Sequence, residues 1–181
     1  VESLGSMQVL CLDKTGTLTR NHLKVVDAAA GVDLDGPEID GARHALLEVA
    51  ALNNLADWGP DGAAGSSATE RAVLDHVAAD GVEIDALRRA APIEDMYGRT
   101  LERPYVVTCH GGGRGTLVKG APEHVLEHCA ALWDGTPLDD EIRARILATN
   151  DKLAARPARV LGFAAGSAEP VDGVPQELSW I

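Results

Sequence analysis

Aromatic residues are scarce in this chain of 181 residues: one Phe, two Tyr and three Trp. Any aromatic contact to a ligand must come from that short set. Cysteine is nearly as rare. Cys11, Cys109 and Cys129 are an odd number without metal-type spacing, and they read as reduced thiols in a cytosolic setting. No apolar run is long enough to span a membrane, and no secretory leader is expected. Positive charge is short as well. Sixteen Lys and Arg against 28 Asp and Glu give a net charge of −12, which argues against nucleic acid as a partner, because phosphate neutralisation needs clustered cations. A nucleotide carried with Mg²⁺ is not excluded, since a pocket needs only a few local cations. Internal repeats and low-complexity tracts are absent. The length fits one large domain, or one domain plus a fragment. The start on Val1 without an initiator Met and the end on "QELSWI" raise the expectation of a segment cut from something longer.

What is present alternates between α and β signals. Met7 to Asp13 reads as a buried strand, and "HLKVVDAAAG" as a second extended stretch. Glu38 to Asn53 carries Ala42, Ala45, Leu46, Val49 and Ala50 at helical spacing. "ADWGPDGAAGSS" is a loop by composition. Ser67-Ala68-Thr69-Glu70 matches a capping box, opening a helix that stops at Gly81. "PYVVTC" and "GTLVKG" flank "HGGGR" as a hairpin. Pro122 starts a helix over "APEHVLEHCAAL". Asp139, Asp140 and Glu141 start another, with acids at the positive end of its dipole. "ARVLGFAAG" closes as a buried strand.

The most informative stretch is "VLCLDKTGTLTRN", Val9 to Asn21. An apolar strand ends in a carboxylate, Asp13, and a threonine-rich turn follows at once. Open α/β sheets bind ligands at the carboxyl ends of their strands. A carboxylate there can attack a phosphoryl group and form an acyl phosphate, splitting one hard hydrolysis into two steps. Threonine hydroxyls and turn N–H groups can hold phosphoryl oxygens. The alternative is an Asp that only caps a turn.

The heptad "DKTGTLT", Asp13 to Thr19, resembles the phosphorylation motif of the P-type ATPases, ion pumps that work through an aspartyl-phosphate. The resemblance implies Asp13 as nucleophile, with Asp13 and the Thr15 carbonyl holding Mg²⁺ and the Thr15 hydroxyl on a phosphate oxygen. "LVKGAPE", Leu117 to Glu123, resembles a segment lining the family's ATP pocket. It implies Lys119 near adenine or phosphate, and Gly120 letting the base approach the backbone. "SSATERAVLDHV" resembles a helix start whose Glu70 would accept from the adenine amino group, with Thr69 nearby. Capping by Glu70 competes with that role. "ARVLGFA" resembles a strand whose arginine, here Arg159, contacts phosphates; a surface ion pair is the alternative. The family's adenine-stacking phenylalanine aligns with Tyr97, which could instead be core, and Arg99 falls near the phosphates. Glu102 stands where the family often has a lysine.

The implied fold is α/β (α+β): an antiparallel sheet flanked by helices, the nucleotide-binding domain of such a pump, plus one strand of a HAD-like phosphorylation domain. The implied boundaries are 1–24 for the start of the phosphorylation domain, 25–168 for the nucleotide-binding domain and 169–181 for a return linker. ATP and Mg²⁺ are the expected ligands. The rest of the phosphorylation domain, an actuator domain and transmembrane helices are the expected partners. The chain itself is expected to be a monomer on the cytosolic side of a (plasma) membrane pump. A phosphatase of the same phospho-aspartate superfamily and a non-catalytic nucleotide-binding module are the alternatives. A phosphatase of that class normally has a second acid where Thr15 stands.

Overall fold

The computed structural model describes residues 22–65 and 67–181. The expected strand from Met7 to Asp13 and the heptad with Asp13 and Thr15 lie outside the described residues. The first helix, α1 (Ala42–Leu52), is followed by a small hairpin of β1 (Asp57–Gly59) and β2 (Gly62–Ala64). Helices α2 (Ala68–Ala79) and α3 (Ile84–Ala90) come next. Then come β3 (Ile93–Tyr97), β4 (Tyr105–His110) and β5 (Gly115–Gly120). The chain continues through α4 (Pro122–Glu127), β6 (Cys129–Leu132), α5 (Asp140–Ala154), β7 (Gly162–Gly166) and β8 (Leu178–Trp180). No described helix is long and apolar enough to cross a membrane.

Six strands form one sheet in the order β3-β4-β5-β7-β8-β6. Its pairings are antiparallel except β6 with β8, which run parallel. The expected flanked antiparallel sheet is therefore present, with one parallel pair at its end. Side chains of alternate residues enter two cores. On one face Tyr105, Val107, Val118 and Ala164 pack with Val125, Leu126 and Ile146 from α4 and α5. On the other, Leu117 and Ala165 pack with Ala42, Ala45, Val49 and Leu52 from α1. A third cluster joins Ala50 and Ala51 of α1 to Val73, Leu74 and Val77 of α2 and to Ile84.

Local signals account for most helix ends. Asp139 caps α5, its carboxylate accepting from the Ile142 N–H at 2.8 Å, and Pro122 opens α4. Three expectations change. The helix expected to run to Leu132 stops at Glu127, because Cys129–Leu132 pairs with β8 instead; a place in the sheet outweighs helix propensity there. The loop over 56–67 contains the β1–β2 hairpin. Residues 169–181, expected as a linker, supply β8, which is hydrogen-bonded between β7 and β6. Residues 22–30, read as extended, form no strand, and α3 was not foreseen from the sequence.

Candidate functional site

The apolar run of α1 ends in two asparagines, and both are buried. The Asn53 amide donates to the carbonyls of Val106 at 3.1 Å and Leu117 at 2.9 Å, tying the end of α1 to β4 and β5. The Asn54 amide donates to the Glu70 carbonyl at 2.9 Å, tying the same turn to α2. Arg88 of α3 clamps that turn from below, donating to the carbonyls of Ala51, Asn54 and Ala56. This polar scaffold fixes the position of one ion pair.

Lys119, near the end of β5, is only 4 % exposed. Its ammonium donates to Glu70 Oε1 at 2.7 Å, to Glu70 Oε2 at 2.8 Å and to the Asn53 carbonyl at 2.5 Å. Burial pushes the ammonium below the ordinary lysine value, and the Glu70 charge pulls it back. Glu70 Oε2 also accepts from the Leu55 N–H at 3.1 Å. The capping box is consequently half formed. Ser67 Oγ accepts from the Glu70 N–H at 3.2 Å, but the Glu70 carboxylate turns to Lys119 and Leu55 rather than back to Ser67. The Glu70 side chain is thus engaged by an ion pair and a backbone N–H rather than by the cap.

Next to Glu70 in the chain, Thr69 Oγ1 accepts from Arg159 Nη1 at 2.8 Å. Glu70, Lys119, Thr69 and Arg159 thus converge on the first turn of α2. Beside them, a cleft of about 330 Å³ reaches Thr69 and Arg159, with Val73, Leu161 and Phe163 in its walls. A second cavity, of about 320 Å³, is lined by Asn54, Leu55, Arg88, Ile93 and His110.

The other expected site residues do not join this group. Tyr97 lies directly opposite Val107, which lies opposite Val118 and then Ala164; such ladder neighbours share one face. Lys119 lies opposite Val106 and Phe163, in the adjacent row. Tyr97 therefore faces the core beneath α4 and α5, across the sheet from Lys119. It is also covered there. A Cβ at Gly173 would stand 2.6 Å from its ring, and the turn holding Gly173 is tied to Arg103 through the Asp172 carbonyl at 3.3 Å. The β3–β4 register thus sets Tyr97 and Lys119 on opposite faces of the sheet. Gly120 lies against β4. A Cβ there would stand 2.7 Å from the Pro104 carbonyl oxygen and closer still to Tyr105, so its missing side chain makes room for β4. Arg99 is exposed in the loop after β3, and no hydrogen bond among the described residues joins it to Glu70 or Lys119. Asp13 and Thr15 lie outside the described residues.

Sequence reasoning missed Asn53, Asn54 and Arg88. A signal was available for the first two: paired amides at the end of an apolar helical run are costly to bury without partners.

A sequence model of the P-type ATPase cytoplasmic domain N matches residues 43–177. The chain belongs to that family. Similar proteins carry the same message. A calcium-transporting ATPase of Listeria monocytogenes is 30 % identical over 175 residues, covering 90 % of this chain and 20 % of the relative. A probable cation-transporting ATPase F of Mycobacterium tuberculosis is 33 % identical over 204 residues, covering 95 % and 22 %. A sodium/potassium-transporting ATPase alpha subunit of Artemia franciscana is 30 % identical over 192 residues, covering 90 % and 19 %. The chain spans about a fifth of the length of the curated relatives it matches. The buried polar scaffold of Asn53, Asn54 and Arg88 is thus a feature of a P-type ATPase N domain.

Proposed function

We propose that this N domain binds ATP at the first turn of α2, with Glu70 accepting from the adenine amino group and Arg159 on the phosphate side. The observation that carries the reading is the convergence of Glu70, Lys119, Thr69 and Arg159, drawn from three separate parts of the chain. An ionised carboxylate held by charge-assisted bonds is a strong acceptor for an exocyclic amine. The guanidinium of Arg159, exposed at the mouth of the apolar cleft, suits an anionic group.

In the parent pump, the bound ATP presents its γ-phosphoryl group to Asp13. A carboxylate oxygen bonds to the γ-phosphorus, the bond from that phosphorus to the bridging oxygen breaks, and ADP leaves with the electron pair. The aspartyl-phosphate then drives cation transport. Mg²⁺ supplies charge neutralisation between the two anions when bound, held by Asp13 and Thr15. Among the described residues no group of three His, Cys, Asp or Glu side chains could hold a metal ion. Family membership favours this pump reading over a free-standing phosphatase. The remaining domains of the pump are the partners, the chain is a monomer on its own, and the parent sits in the plasma membrane with this region on the cytosolic side.

Calorimetric titration of the chain with ATP tests the binding step. Saturable binding that weakens at least tenfold in Arg159→Ala is expected. A flat titration of the wild-type chain overturns the reading. For the chemical step, the parent should form a hydroxylamine-labile phosphoenzyme that Asp13→Asn abolishes.

A further inference from the structure

The six-stranded sheet ends in β6 on one side and in β3 on the other. The outer edge of β6 is occupied. The Leu132 N–H donates to the Thr136 carbonyl at 2.8 Å, and the Leu138 N–H to the Ala130 carbonyl at 3.0 Å. Among the described residues no strand pairs with the outer edge of β3. An open edge offers its N–H and C=O groups to any extended chain. This edge has two unlike sides. Ile93 and Met96 lie opposite His110 and Thr108, on the α1 face, and both are exposed, at 44 % and 43 %. Leu55, also exposed, lines the same cavity as Ile93. Asp95 lies opposite Cys109, on the Tyr97 face. Its carboxylate accepts from the Met96 N–H at 2.8 Å, so a side chain takes that donor in place of a strand. Among the described residues no Lys, Arg or His forms an ion pair with Glu94, Asp95 or Glu169. Burial raises the Cys109 thiol, Thr116 opposes, and the charges of Asp95, Glu169 and Glu94 raise it further. The Asp95 side of the edge is therefore negative in potential.

We infer that the β3 edge is a docking site for an extended segment of a separate protein, with alternating apolar and basic side chains, which adds to the sheet as a further strand. Alternate side chains of a strand point to opposite faces. The incoming strand sets its apolar residues beside Leu55, Ile93 and Met96, and its Lys or Arg residues beside Asp95. Docking exchanges bonds. A carbonyl of the incoming strand takes the Met96 N–H, and the released Asp95 carboxylate pairs with the incoming cation. A strand without cations displaces that carboxylate and offers it no partner. A second copy of this chain is disfavoured for a related reason. Antiparallel copies of β3 would set Glu94 and Asp95 against acids of the same sign. The place of the edge in the sheet favours a separate protein over a neighbouring domain. The family match ends at residue 177, at the start of β8, so the next domain of a pump joins on that side. β8 lies four strand positions from β3, roughly 19 Å at the usual spacing between strands.

The probe is a synthetic peptide of alternating Val and Lys, titrated into the isotope-labelled chain and followed by NMR. It should shift the Met96 and Ile93 amides and bind at least about tenfold more tightly than the same peptide with Ser for Lys. A Lys peptide N-methylated at alternate backbone nitrogens keeps its charge and loses strand pairing, and it should bind at least about tenfold more weakly. In Asp95→Ala the preference for Lys over Ser should fall to within about twofold. Met96→Pro, a substitution that an edge strand tolerates where its N–H faces outward, should abolish binding while thermal unfolding stays cooperative. Equal binding of the Lys peptide and its N-methylated form overturns the inference, because only charge attraction to an acidic chain would remain. So does saturable binding that leaves the Met96 and Ile93 amides unmoved, and so does an Asp95→Ala chain with its preference intact. Dimerisation of the wild-type chain that shifts the same amides on a dilution series overturns the choice of partner. If Met96→Pro fails to fold, the N-methylated peptide decides the pairing step. None of these readouts depends on ATP binding.

Discussion

The two faces of the sheet are built on different principles. Beneath α4 and α5, Tyr105, Val107, Val118, Leu178 and Trp180 make an almost wholly apolar core. Beneath α1, the interior holds Asn53, Thr108, His110 and Lys119, all buried and all hydrogen-bonded. An apolar core tolerates rearrangement of shape, because dispersion and hydrophobic burial are non-directional. A buried polar network does not, because each unmet donor or acceptor costs on the order of 1–3 kcal/mol. The α1 face therefore fixes geometry, at a cost that the opposite face offsets. It is also the face on which Glu70 and Lys119 meet.

The sharpest way to break this contrast is to remove one partner on the polar face. Glu70→Ala leaves the Lys119 ammonium buried with the Asn53 carbonyl alone. It should lower stability by about 3–5 kcal/mol in chemical denaturation, and Glu70→Leu with Lys119→Met should recover most of that loss. On the apolar face no second substitution restores the first. Leu178→Ala, at a fully buried position, should cost about 2–5 kcal/mol while the ratio of ATP to inosine triphosphate affinity stays unchanged.

Cys129 sharpens the contrast through pH. Burial in the apolar core pushes its thiol up from 9.0 to about 12, with Arg143 opposing. The folded state keeps this proton after the unfolded state has lost it. Stability attached to the thiol is therefore complete below pH 9 and is lost as pH rises from 9 towards 12, at up to about 1.4 kcal/mol per pH unit. The gap between the urea midpoints of wild type and Cys129→Ala should be constant below pH 9 and change only above it, with wild type falling more steeply. The smallest effect belongs to a feature of neither face. Asp139→Ala removes the exposed cap of α5 and should cost about 1 kcal/mol by thermal unfolding.

Periodicity, caps and the glycine-rich turn were enough to read α1, α2, α5, the β4–β5 hairpin and β7 from the sequence. The chemical identity of Glu70, Lys119 and Arg159 as site candidates was legible too, because their segments resemble a known family. Which way each side chain faces was not. Tyr97 and Lys119 stand on opposite sides of the sheet because of the β3–β4 register, and that register carries a shift between Ile93 and Asp95. Such a one-residue irregularity turns every later side chain to the other face, and nothing in "IEDMYGRT" announces it. The place of Cys129–Leu132 in the sheet was equally hidden, since its partner β8 lies more than forty residues further on.

What the sequence by itself determined is local: where helices begin, where a hairpin turns, and which carboxylate and ammonium are unusual enough to suspect. What only the tertiary structure decided is pairing. Glu70 had a partner within its own helix, at Ser67, and took Lys119 instead, 49 residues away. The physical reason is that a lysine buried by the folding of β5 against α1 needs a counter-charge far more than an exposed helix end needs a second cap.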